Sequence, residues 1–173
     1  MKNKVMIALF CTLLISCVSK PEDIEPVKNF ELKPYLGTWY EIARLDHSFE
    51  RGMTHVSASY EMKEDGGVKV INKGFVTEEK EWKEAEGKAY FVEDENTGYL
   101  KVSFFGPFYG AYVIFELDSN YQYAFVTSNN KEYLWFLSRS PTVAQGLMDY
   151  FVRQAKAQGF DTDKLIWVEQ NTD

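Results

Sequence analysis

The chain has 173 residues, a formal charge of −7, two Cys and two His, and 13 Phe, 11 Tyr and 4 Trp make it 16% aromatic. That length suits one domain whose core needs no disulfide or metal staple. The acidic balance argues against a nucleic-acid-binding face, and so few His and Cys leave no conventional metal cluster, so neither cofactor nor metal is expected.

Lys2 and Lys4 open the chain, and Val5 to Ser16 then run without a charge. Twelve residues make roughly 18 Å of helix, short of the ~30 Å hydrocarbon core, so the run reads as a signal-peptide hydrophobic region. The competing reading is a buried N-terminal helix. It is disfavoured because the run has no polar face and a Pro- and charge-rich stretch follows. Leu14-Ile15-Ser16-Cys17 is similar to a bacterial lipobox. The resemblance implies removal of the signal peptide 1–16 and acylation of Cys17 as a diacylglyceryl, palmitate-bearing N-terminus. Two or three acyl chains hold a protein at a bilayer where one holds it marginally. Val18, a non-Asp residue after the cysteine, implies sorting to the outer membrane, lipid-anchored on the periplasmic side. Removal of two lysines takes the charge from −7 to −9. With Cys11 discarded and Cys17 acylated, no thiol is left for disulfide or nucleophilic chemistry.

Residues 17–29, with Pro21 and Pro26 and little apolar periodicity, are expected to form a lipidated tether lifting the domain 30–173 off the membrane. From Phe30 the chain alternates with period two, the sign of half-buried strands. Strands are predicted over Trp39–Phe49, Met53–Lys63, Val68–Thr77, Trp82–Glu93, Tyr99–Phe105, Phe108–Leu117, Tyr121–Thr127 and Glu132–Arg139. Asp65-Gly66-Gly67, Asn96-Thr97-Gly98, Gly106-Pro107, Asp118-Ser119-Asn120 and Ser128-Asn129-Asn130 mark turns between them. Eight sequential antiparallel strands suggest an all-β, up-and-down barrel, with a β-sandwich as the alternative. The period then changes. Thr142 and Gln145 fit a capping box, and Val143, Leu147, Tyr150, Phe151 and Ala155 form a helical apolar stripe. Gly159 is the expected stop, and Leu165–Val168 a short ninth strand. The helix stripe is expected to bury against the outside of the barrel.

Gly37-Thr38-Trp39-Tyr40 resembles the first signature of the lipocalin family. Leu117-Asp118-Ser119-Asn120-Tyr121 resembles the second loosely, and Leu137-Ser138-Arg139 before the helix resembles the third. Val70–Gly74 and Phe104–Gly110 are also similar to the bacterial outer-membrane lipoprotein lipocalins, a group related to apolipoprotein D. The resemblance implies an eight-stranded antiparallel lipocalin barrel with one C-terminal helix outside. It makes Gly37, Trp39, Asp118, Tyr121 and Arg139 signature residues of structure, with Trp39 plugging the closed end under Arg139.

Parity then predicts the lumen. Trp39 inward carries Glu41, Ala43 and Leu45 inward, and Glu41 then needs a structural partner such as an Arg, a Lys or a backbone N–H. Val56, Ala58 and Tyr60 should face in, as should Leu100, Val102 and Phe104. So should Tyr133, Trp135 and Leu137, with Leu134 and Phe136 under the helix. Over Phe108–Leu117 either Tyr112/Ile114 or Val113/Phe115 could be the inner pair, and Tyr121–Thr127 is equally open. The candidate ligand-binding residues are Ala43, Val56, Ala58, Tyr60, Val102, Phe104, Tyr112, Tyr133 and Trp135. An apolar cup with Tyr and Trp suits an amphipathic lipid. The resemblance likewise implies binding, storage or transport of fatty acids, lysophospholipids or phospholipids, serving membrane maintenance under stress. An envelope lipoprotein with a structural or protein-binding role is the alternative. An enzyme is not expected: the isomerases of this fold need a thiol, and no catalytic triad or phosphate loop is present. The acidic run Glu78–Glu86 reads as a solvated face in which Trp82 is a candidate homodimer contact.

Overall fold

The computed structural model describes residues 18–170, so the expected signal segment 1–16 and the expected lipidation residue Cys17 lie outside the described residues. Eight strands follow the alternation: β1 Gly37–Arg44, β2 Met53–Met62, β3 Val68–Val76, β4 Glu81–Phe91, β5 Tyr99–Phe105, β6 Phe108–Leu117, β7 Tyr123–Thr127 and β8 Leu134–Ser138. Each pairs antiparallel with the next, and β1 pairs with both β2 and β8. The sheet therefore closes on itself, which removes its edges and decides for the barrel over the sandwich. Helix α1, Leu32–Tyr35, crosses one end. Helix α2, Gln145–Ala157, lies outside, and β9, Ile166–Trp167, adds to β1.

β1 carries the feature that sets the site. Its register with β8 shifts between Glu41 and Ala43: Glu41 opposes Leu137, Ala43 opposes Phe136, and Ile42 is the extra residue. Such a bulge resets which side chains face inward. Beyond Tyr40, β1 also parts from β2, and β9 pairs with Ala43 and Arg44 there. The Gln170 amide spans the opening, donating to the carbonyls of Glu41 (2.9 Å) and Val56 (2.8 Å).

The first strand stops at Arg44 instead of reaching Phe49. Arg44 donates to the carbonyls of Glu50 (2.8 Å) and Met53 (3.1 Å), which folds residues 45–52 back as a loop. The helix start also differs from expectation. No side chain caps α2, because Ser140 Oγ accepts the Thr142 N–H and Gln145 donates to Asp149 instead. Its end follows the expectation. Gly159 sits at φ +81° and its N–H bonds Lys156 O, while the Phe160 N–H reaches back to Ala155 O, a Schellman closure that a Cβ would strain.

The tether is not free. Residues 18–29 run along the outer wall, with Ile24 and Pro26 buried. Val27 N–H bonds Ile114 O, Gly98 N–H bonds Val27 O, and Tyr99 donates its hydroxyl to Val18 O at 2.7 Å. The correction to an extended spacer has a plain cause: Ile24, Val27 and Val18 are apolar enough to dock, although they follow no strand or helix period.

Burial divides into two layers. An outer core lies between the wall and α2: Val113, Phe125, Leu134 and Phe136 meet Phe151, Ala155 and Phe160. The inner core fills the closed end around Trp39. Phe151 is fully buried, with its ring centroid 4.9 Å from those of both Phe125 and Phe136. Phe151→Ala is expected to cost about 3–5 kcal/mol in urea unfolding, since the wall beneath it cannot collapse into the void.

Candidate functional site

The closed end is built first. Trp39 is fully buried and donates its indole N–H to Tyr35 O at 2.8 Å, with the Tyr35 ring 4.7 Å away. The Arg139 guanidinium lies 3.9 Å from the Trp39 ring centroid, a cation–π contact. Its nitrogens also donate to the carbonyls of Thr38, Pro34, Leu36 and Tyr121. Gly37 holds φ +92°, and a Cβ there would stand 3.4 Å from Arg139 Nη1. Asp118 accepts the N–H groups of Asn120 and Gln122, shaping the turn from which the Tyr121 hydroxyl accepts the Glu31 N–H. Gly37, Trp39, Asp118, Tyr121 and Arg139 thus tie α1, β1 and the β7 and β8 ends into one plug.

Above the plug the barrel holds a cavity of about 800 Å³, open at the opposite end. Val56, Ala58 and Tyr60 line it from β2, Val102 and Phe104 from β5, Tyr112 from β6, and Tyr133 and Trp135 from β8 and the loop before it. The open questions of parity resolve as Tyr112 and Val126 inward, with Val113 and Phe125 packed under α2.

Ala43 does not line the cavity. It is fully buried in the outer core with Phe136 and Phe151, and Leu45 is there too. The bulge at Ile42 is the reason, since strict alternation would have carried both inward.

Two hydrogen-bonded polar clusters lie within the lining, which also includes Asn72, Lys73, Lys83 and Glu84. At the bottom, the hydroxyls of Tyr35, Tyr112 and Tyr60 form a hydrogen-bonded row, 2.7 Å and 2.8 Å apart. Burial pushes all three above the ordinary phenol value, so they stay neutral. On the β1 side lie Glu41, Arg44, His47 and Glu50. Arg44 donates to Glu41 Oε1 at 2.7 Å, and Glu50 Oε2 takes the Trp135 indole N–H at 3.1 Å with His47 Nε2 at 3.0 Å. Burial pushes the Glu41 carboxyl well above its usual range, the facing Glu50 charge adds to the push, and Arg44 opposes it. At Glu50 burial also opposes ionisation, but His47 foremost and then Trp135 and Glu41 outweigh it and lower the carboxyl. The two carboxyls are therefore pushed in opposite directions, Glu41 up and Glu50 down. Among the described residues no group of three or more His, Cys, Asp or Glu is placed to hold a metal ion.

Arg44 is the partner that Glu41 required, and the sequence did not single it out. Residues three apart in a regular strand face opposite ways, and only the bulge turns both inward. His47, Glu50 and Tyr35 were also missed, because they sit in a loop and a single helical turn that no periodicity marks.

Comparison with known proteins bears on this architecture. A family model described as a lipocalin-like domain matches residues 30–170. The chain is 57% identical over 169 residues to the outer membrane lipoprotein Blc of Vibrio cholerae, covering 96% of this chain and 99% of that protein. It is 47% identical to Blc of Escherichia coli K12 (94% and 92% covered) and 28% identical to mouse apolipoprotein D (83% and 78%). Among solved structures, insecticyanin of the tobacco hornworm superposes with TM-score 0.71 at 20% identity, covering 90% of this chain and 89% of that one. Lobster apocrustacyanin A1 gives 0.65 at 19% (88% and 93%). A closed barrel plugged by Trp39 under Arg139, a cup above it and these matches agree: the chain belongs to the lipocalin family, a family of binding rather than catalytic proteins.

Proposed function

We propose that this protein binds amphipathic lipids in its barrel and stores or transports them at the bacterial outer membrane, to which Cys17 anchors it from the periplasmic side. The carrying observation is the cup itself: about 800 Å³ of largely apolar space, open at one end. That is within the ~300–1,000 Å³ usual for small-molecule sites. Acyl chains would lie against Val56, Val102 and Phe104. The Tyr35–Tyr112–Tyr60 row and the Glu41–Glu50 pair supply the polar partners that such sites place sparingly. The substrate class is a fatty acid, lysophospholipid or phospholipid, and the process served is membrane maintenance under stress. The similarity to bacterial outer membrane lipoproteins supports the location.

Titration of the purified protein with fatty acids and lysophospholipids, followed through tryptophan fluorescence to which the cavity-lining Trp135 contributes, is expected to show saturable binding. Affinity weaker than ~100 μM, about −5.5 kcal/mol, for every lipid tried overturns the proposal.

A further inference from the structure

The docked N-terminal segment changes where the barrel can sit. Twelve free residues could reach about 40 Å from an anchor. Here they are laid on the wall, and Val18, the residue after Cys17, is itself held by Tyr99. Ser19 O accepts from Asn129 in the β7–β8 loop, whose side chain also takes the Ala111 N–H. Ala111 is three residues from the β5–β6 tip, about 10 Å along the strand. The described chain therefore begins on the β5–β6–β7 side of the wall, with Ser19 beside the β7–β8 loop at the mouth end and Val18 directly following the anchoring Cys17.

The same side carries the most exposed aromatic rings. Phe105 and Phe108 flank the β5–β6 tip with 73% and 78% of their surfaces in water, and Phe49, 65% exposed, stands on the β1–β2 loop of the same rim. Large rings held at a loop tip are ordinary at a membrane interface and unfavourable in water. The β3–β4 tip on this rim carries Glu78, Glu79 and Glu81, so a tilt toward the β5–β6 side keeps those carboxylates hydrated.

We propose that the mouth of the barrel is a membrane-docking face. Phe105 and Phe108 enter the lipid surface that holds the Cys17 anchor, and the cup opens directly onto that surface. The proposal rests on the lipid-anchored reading above, and it adds the orientation: lipid passes between bilayer and lumen without crossing open water.

The test uses the full chain, produced as the lipoprotein and reconstituted in phosphatidylethanolamine/phosphatidylglycerol vesicles. A nitroxide is attached at F105C, F108C or, as the control at the closed end, M62C. All three native side chains are more than half exposed, so the fold should tolerate the changes. Relative to position 62, positions 105 and 108 are expected to show a several-fold higher ratio of collisions with oxygen to collisions with a water-soluble nickel chelate. Equal ratios, or immersion of position 62 instead, overturn the proposal. So does labelling of the wild-type chain, which would mean that Cys17 is a free thiol and not an anchor. Binding of cis-parinaric acid in vesicle-free solution reads the cup separately. Immersed labels without bound acid defeat the lipid reading alone, and bound acid with both rim labels in water defeats the docking alone.

Discussion

Ala58→Trp is expected to abolish lipid uptake while leaving the barrel folded. Ala58 faces the cavity from the middle of β2, between Trp39 and Asn72 on the neighbouring strands. Its Cβ opens into empty space, so an indole there fills volume that a ligand would occupy and compresses little. Affinity for a fatty acid should fall at least about 100-fold, roughly 2.8 kcal/mol, with little change in the urea midpoint. Ala43→Trp is the matched contrast. Strict alternation puts Ala43 in the cup as well, but the structure puts it fully buried against Phe136 and Phe151. An indole has no room there, and overpacking should cost about 1–3 kcal/mol or more of stability. If both substitutions lose binding and keep stability, the bulge at Ile42 is wrong.

Arg44→Met is expected to be the most damaging change at the polar cluster. It removes the donors to Glu41 Oε1, Glu50 O and Met53 O together and leaves the buried Glu41 carboxyl without its cation. Breaking a buried pair in this way costs about 3–5 kcal/mol. The loss should depend on pH in a definite sense. Glu41 has its folded value raised, so its contribution is complete below the unfolded value and is lost as pH rises through the folded one. Glu50 has its folded value lowered, so its contribution is present above the unfolded value and is lost as pH falls through the folded one. Without Arg44 nothing opposes the upward push on Glu41, and the alkaline limb steepens. Urea unfolding should therefore show a larger penalty in mildly alkaline than in mildly acidic buffer. Adding Glu41→Gln should recover part of it. A penalty independent of pH would make Arg44 a packing residue only.

Much of this molecule is legible without coordinates. Val56, Ala58 and Tyr60, like Leu100, Val102 and Phe104, alternate cleanly, because a strand with one face on a lumen must place every second side chain there. The helix stripe through Phe151 and Ala155 and the stop at Gly159 follow equally local rules. The plug is legible through its resemblance to a known family, since Gly37, Trp39 and Arg139 stand in the expected order.

What was not legible depends on contacts between distant segments. The misplacements, of Ala43 and Leu45, of the end of β1, of the residues before Phe30 and of the α2 cap, share that cause. Ile42 bulges because β1 must leave β2 and accept β9. Ile24 docks because the wall of β5 and β6 offers it a dry surface. The helix starts at Gln145, three residues after Thr142, with no side-chain cap. By itself the sequence determined the strand count and the outer helix, since period and turn chemistry are local, and the closed end was implied only by the resemblance to a known family. Only the tertiary structure decided that Glu41 and Arg44 meet inside the cup, and that residues 18–29 lie docked along the outer wall. One unpaired residue in a ladder, or one apolar side chain outside any period, reverses a face without leaving a pattern to read.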